Sequence, residues 1–223
     1  GGIPFGGEAT QGMERFPYNT LNAENPGISG FGDLYQNINQ MNLFISRTLH
    51  TDVLTESARN YYLGQVYGLR AYYMYQLYRS WGDVVFTEEP SLGFEVGKLA
   101  KAATPAAEIF EQVKKDIESS LSYFGSDYTI KEKKSLWSKA ATLMLKADVY
   151  LWSAHRDGGE GDARTAKNAL VDIQNNISRS NLDLMDTYQG VFAYDNKGNK
   201  EIIFTIHNEL FEYNLWNGNN DLF

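Results

Sequence analysis

The feature that most constrains this chain is a run of five helical segments, with apolar residues recurring every three or four positions, separated by turns or loops. Leu34, Ile38, Met41, Ile45 and Leu49 form the first stripe, and Asp33 stands at its N-cap. A second helix is predicted over 55–80, with Tyr62, Val66, Leu69, Tyr73 and Leu77 on one face and Gly82 as its C-terminal cap. The third is predicted to open with Thr104 at the cap and Pro105 at the first position, where Glu108 adds a favourable charge. Its stripe is Ile109, Val113, Ile117, Leu121 and Phe124. The fourth, over 135–155, has an inner face of Ala140, Leu143, Ala147, Leu151 and Ala154, small enough for a neighbouring helix to come close. Residues 158–161 read as a turn, after which Asp162 caps a fifth helix carrying Ala166, Leu170, Ile173 and Ile177. Pairing the second with the third and the fourth with the fifth gives a mostly α fold of stacked tetratricopeptide-like αα-hairpins, although no strict repeat of about 34 residues is legible.

Irregular sequence flanks this core. Residues 1–32 are rich in Gly, Pro and Asn and carry Phe5, Phe16, Tyr18 and Phe31 without any period. Residues 84–86 form a short β-prone run. Beyond position 181 the helical period fades, and 201–207 (EIIFTIH) reads as a strand, the minor β element near the C-terminus. The expected organisation is one domain over 1–223: a loop segment 1–32, helical hairpins 33–180, and a mixed segment 181–223.

The sequence carries no catalytic constellation. Twenty basic residues against 28 acidic ones give a net charge of −8, which disfavours nucleic-acid backbones. There is no cysteine, hence no thiol nucleophile, disulfide or thiolate metal site. His50, His155 and His207 stand on separate elements, no phosphate-binding loop or nucleophile elbow occurs, and no cofactor is expected. Glu88 and Glu89 are adjacent in a loop and Asp148 lies inside a helix, which is no carboxylate pair flanking a cleft. The acidic turns around Asp157, Glu160 and Asp162, and around Asp195, Asn199 and Glu201, match no calcium loop. Gly64 and Gly68, one helical turn apart, read as close-packing positions.

Aromatic residues are in excess, with 15 Tyr, 12 Phe and 4 Trp. Tyr61, Tyr62, Tyr67, Tyr72, Tyr73, Tyr75 and Tyr78 crowd one helix and read chiefly as packing between hairpins. Tyr18 and Phe31, in loops, suit an aromatic surface that stacks on the apolar faces of sugar rings. No apolar run approaches the roughly 18 residues that cross a bilayer, and the first residues do not resemble a signal peptide.

Four motifs in order point to a family. Residues 33–42 (DLYQNINQMN) resemble the LYxxIxxxN helix of the SusD/RagB family. Residues 64–86, ending in RSWGDVVF, are similar to its LRA…WGDVP segment, residues 140–152 to its Ala-rich YLW helix, and residues 201–204 (EIIF) to its EIIF strand. The resemblance implies a non-enzymatic, glycan-binding lipoprotein on the outward face of a Bacteroidota outer membrane, delivering oligosaccharide to a SusC-like TonB-dependent transporter. Its membrane link would be a lipid anchor absent from this chain. Position by position it implies Phe31 as a platform, where the family often has Trp, with Tyr35 on the next turn, Asn39 as a polar partner and Tyr18 as an addition. Arg70 and Trp81 match family motifs too, but read as structural: a packed or paired charge and a plug at the helix end. Val85-Phe86 replaces the family's Val-Pro, and family members run to about twice this length. The alternative is a tetratricopeptide-type scaffold for a protein or peptide; a helical glycosidase is a third reading.

Overall fold

The computed structural model describes residues 22, 30–93, 100–131 and 134–206. The chain divides into two compact units, Gly1–Asn37 and Ile38–Phe223. Among the described residues five long helices dominate, the first four being α1 (Gly32–Leu49), α2 (Glu56–Trp81), α3 (Ala106–Phe124) and α4 (Lys139–Ser153). A π-helical turn, Ala154–Gly158, leads from α4 into α5 (Gly159–Asn175); α6 (Ile177–Ser180) and α7 (Tyr188–Val191) are single turns. Helix α2 packs along α3 and α4 along α5, with α3 against α4 joining the pairs. The stacked-hairpin reading therefore holds.

Local chemistry explains most boundaries. Thr55 caps α2 by accepting from the Ala58 N–H, and the helix stops at Gly82, whose φ of +72° only glycine adopts freely. Three expected starts move. Thr104 does not cap α3; its backbone forms an isolated antiparallel bridge with Val84 (2.8 and 3.2 Å). That bridge holds Thr104 extended, Pro105 becomes the N-cap residue, and Asp83 Oδ1 accepts from the Ala106 N–H at 2.8 Å. Helix α4 starts later than expected, with Ser138 accepting from the Ala141 N–H, and α5 starts earlier, at Gly159, so that Asp162 lies in its first turn. Gly159, at φ +55°, reverses the chain, and a Cβ on Gly158 would stand 2.0 Å from Asp162 Oδ2.

The expected strand does not form among the described residues 201–206. Among the described residues no strand pairs with it. Instead Thr205 donates one backbone hydrogen bond to the Lys134 carbonyl at 3.0 Å, Phe204 meets the Trp137 ring at 5.2 Å, and Ile203 packs on the α4–α5 core. The buried Lys134 also reaches the Asn199 carbonyl through Nζ at 2.6 Å, so one residue fastens this segment twice.

Helix α2 buries more than one stripe. Its buried residues include Leu63, Gly64, Gly68, Arg70, Ala71, Met74, Tyr75 and Leu77, whereas Tyr62 of the expected stripe is 41% exposed. A helix with neighbours on several sides loses a single-faced pattern. Its tyrosines do pack as expected: Tyr67 stacks on Tyr123 at 5.6 Å, Tyr72 meets Trp137 at 5.8 Å, and Tyr78 meets Phe110 at 4.9 Å. In the second hairpin Tyr128 donates to Asp172 at 2.6 Å, and burial together with that bond pushes its phenol up to about 12.

Gly64 and Gly68 mark the closest approach. A Cβ on Gly64 would sit 2.9 Å from the Phe124 ring, and one on Gly68 would sit 2.1 Å from Trp137 Nε1. Beneath them Ser120 donates to the Gly64 carbonyl at 2.6 Å, and Trp137 Nε1 donates to Thr142 at 2.8 Å. Gly68→Ala is expected to destabilise the protein by about 1–3 kcal/mol through overpacking. Gly161→Ala, in open space in the first turn of α5, should cost nothing and add a few tenths to ~1 kcal/mol of helix propensity. Urea denaturation of the two variants checks the contrast.

Candidate functional site

Phe31 directly precedes α1, and its carbonyl accepts the Tyr35 N–H at 3.2 Å, the first helical hydrogen bond. One turn of helix therefore puts the two side chains on the same side. Their ring centroids lie 5.5 Å apart at 72°, an edge-to-face pair, and Phe31 stays 46% exposed. The structure thus brings two of the four predicted residues together. Tyr18 lies outside the described residues.

Asn39 has a definite job in the larger unit. Its Nδ2 donates to the Ser91 carbonyl at 3.2 Å and its Oδ1 accepts the Ser91 N–H at 2.7 Å. One carboxamide thereby imitates a strand partner and pins the 87–91 loop to α1. A second carboxamide, Asn42, repeats the device one turn on, donating to the Thr87 carbonyl at 2.6 Å. Asn42 is 2% exposed, and its Oδ1 accepts from Arg70 Nη1 at 2.9 Å.

Arg70 is the centre of this arrangement. Its Nε and Nη2 each donate to a different oxygen of Asp116 at 2.7 Å, a two-pronged pair in which both residues are at most 2% exposed. Burial raises the Asp116 carboxyl, while the guanidinium and the Gln112 amide oppose that rise by donating to the charged form. Burial pulls the Arg70 guanidinium down, but Asp116 outweighs it and the net direction is up, so the arginine stays protonated. Outside the pair, Glu88 accepts from Lys115 at 3.0 Å and from Gln112 at 3.2 Å and lies 3.8 Å from Arg70. The Lys115 hydrogen bond comes first among the causes that hold the Glu88 carboxyl below the usual glutamate value.

These contacts settle what the carboxylates do. Glu88 is tied into the loop anchor, and Asp148 pairs with Arg79 at 3.5 Å on the surface. The Glu88 carboxyl, held below its ordinary value, lacks the raised pKa of a general acid. In the acidic turns, Asn199 hydrogen-bonds the Val191 and Asn196 carbonyls, and Glu201 accepts the Met185 N–H at 2.8 Å. Elsewhere, an open groove of about 580 Å³ between α1 and residues 51–54 is lined by Leu43, Phe44, Arg47, Thr51, Val53 and Leu54, among others. Among the described residues no helix is long and apolar enough to cross a membrane.

The sequence model of the SusD-like family described as starch-binding and associating with the outer membrane matches residues 16–151. The chain belongs to the SusD-like family. SusD-like protein P25 of Formosa agariphila is 26% identical over 174 residues, 78% of this chain and 31% of that protein. Among solved structures, B. fragilis NanU is 52% identical with a TM-score of 0.85, over 97% of this chain and 42% of that one. A SusD superfamily protein from Bacteroides vulgatus is 48% identical with a TM-score of 0.83, over 96% and 43%. This chain therefore spans less than half the length of each. In these terms Arg70, in the LRA motif, is the structural charge that its position implied.

Sequence reading missed the Asn42–Arg70–Asp116 relay and the role of Glu88. The available signal was a pair of charges at helical positions facing the core, Arg70 in α2 and Asp116 in α3. Asp116→Ala is expected to cost about 3–5 kcal/mol, because it leaves the buried guanidinium unpaired. Replacing both partners with apolar residues, Arg70→Met with Asp116→Leu, should recover much of that loss. Chemical denaturation of the single and double variants tests both statements.

Proposed function

We propose that this chain is the glycan-binding part of a cell-surface nutrient-capture protein, and that the Phe31–Tyr35 pair is a contact surface for a saccharide. The observation that carries the reading is an edge-to-face aromatic pair, Phe31 exposed and Tyr35 half-buried, at the start of a long helix, in a chain of a family described as starch-binding. A sugar ring offers an apolar C–H face to such a surface and hydroxyl groups to polar neighbours, and Asn39 and Tyr18 complete the proposed set. The reading is one of binding without hydrolysis, since Glu88 and Asp148 are occupied in ion pairs. Delivery to a SusC-like TonB-dependent transporter, and attachment to the outward face of the outer membrane by a lipid anchor, belong to the same proposal.

Affinity electrophoresis through gels containing soluble plant, host and microbial polysaccharides tests it. Retardation by one class is expected, with Phe31→Ala weakening it about three- to tenfold, the worth of one aromatic contact, and leaving the melting temperature unchanged. A protein indifferent to every polysaccharide but captured by a peptide through its helical surface would instead be the scaffold of the alternative reading. Release of reducing ends from a bound glycan would overturn the non-catalytic assignment.

A further inference from the structure

The loop after α6 carries three aromatic rings that the described part of the structure leaves in solvent. Tyr188 is 81% exposed, Phe192 68% and Tyr194 85%. The loop that carries them is braced by side-chain hydrogen bonds. Thr187 caps the turn Tyr188–Val191 by accepting the Gly190 N–H through its side chain at 3.1 Å. Asn196 Nδ2 donates to the Gly190 carbonyl at 3.1 Å, and Asn199, 6% exposed, donates to the Val191 carbonyl at 2.9 Å. Lys134 then fastens the Asn199 carbonyl from below. The bracing leaves Tyr188 and Phe192 with centroids 5.0 Å apart and Lys197 Nζ 4.1 Å from the Tyr194 ring.

We propose that Tyr188, Phe192 and Tyr194 form a second saccharide-stacking surface, separate from the Phe31–Tyr35 pair. The chemistry favours a sugar. Two of the rings carry phenolic hydroxyls, and the exposed Gln189 and Asp195 stand directly beside rings in the chain, so flat apolar faces alternate with hydrogen-bonding groups. A pyranose has the same composition, one C–H face and a rim of hydroxyls. Lys197 and Asp195 place both signs of charge nearby, so the surface selects by shape and stacking rather than by net charge. The inference rests on the glycan-binding reading above.

Hydroxyl-radical footprinting of the full chain, with and without the polysaccharide that retards it in gels, tests the surface directly. Labelling of Tyr188, Phe192 and Tyr194 in the free protein and protection by the polysaccharide is the expected result. Tyr194→Ala should weaken polysaccharide binding about three- to tenfold and leave thermal stability unchanged, as befits so exposed a ring. Rings unlabelled in the free protein are already covered in solution, which overturns the proposal. Rings that label equally with and without a bound polysaccharide overturn it too, while leaving the Phe31 reading intact. If no polysaccharide retards the wild-type protein, both readings fall together.

Discussion

The buried Arg70–Asp116 pair is the constraint on which the larger unit depends. Two full charges removed from water are tolerable only when each satisfies the other and the remaining donors and acceptors are also met. Here Asp116 takes two hydrogen bonds from Arg70 and one from Gln112, and the remaining guanidinium edge goes to Asn42. Sliding α3 along α2 by a single residue would strand a charge, so the pair fixes the register of the two helices. Asn42 passes the constraint on to the Thr87 carbonyl, and Glu88 ties the same loop to Lys115. A surface loop thus inherits the rigidity of the core.

Close packing works alongside this polar centre. Gly64 and Gly68 let α2 approach Phe124 and Trp137, and the alanines of α4 and α5 do the same in the second hairpin, where Ala140, Ala147, Ala166 and Ala169 are all buried. When backbones come this near, large residues are displaced to the seams between helices. Several tyrosines of α2 fill those seams, Tyr67 against Tyr123, Tyr72 against Trp137 and Tyr78 against Phe110, with Tyr75 fully enclosed. The aromatic excess is therefore mostly structural. Among the described residues, rings that lie outside the seams include Phe31 before α1 and, in the braced loop, Tyr188, Phe192 and Tyr194.

Much of the fold was legible because helical periodicity is a local property. The five long helices, the Gly82 cap, the hairpin pairing and the close-packing glycines could all be read from spacing and residue type. Several of the readings that moved involve partners distant in sequence. Thr104 lost its cap role to a bridge with Val84, 20 positions earlier, and Asp83 took that role over. The EIIF segment has every local mark of a strand but meets Trp137 and Lys134 rather than another strand. The face of α2 was misjudged because period analysis assumes one buried side, whereas α2 is enclosed on several.

The candidate site divides the same way. Phe31 and Tyr35 were legible as neighbours, since one helical turn separates them, and the family motifs on either side of α2 carry their own chemistry in sequence. Asn39 was legible only as a polar residue at a helical position. That its carboxamide clasps Ser91, 52 positions away, was decided by the tertiary structure. So was the pairing of Arg70 with Asp116, because the sequence shows two charges on apolar helices but not which one answers the other. The exposure of Tyr188, Phe192 and Tyr194 belongs to the same class. Whether a ring ends in a seam or in water depends on what the fold puts beside it, and no local pattern encodes that.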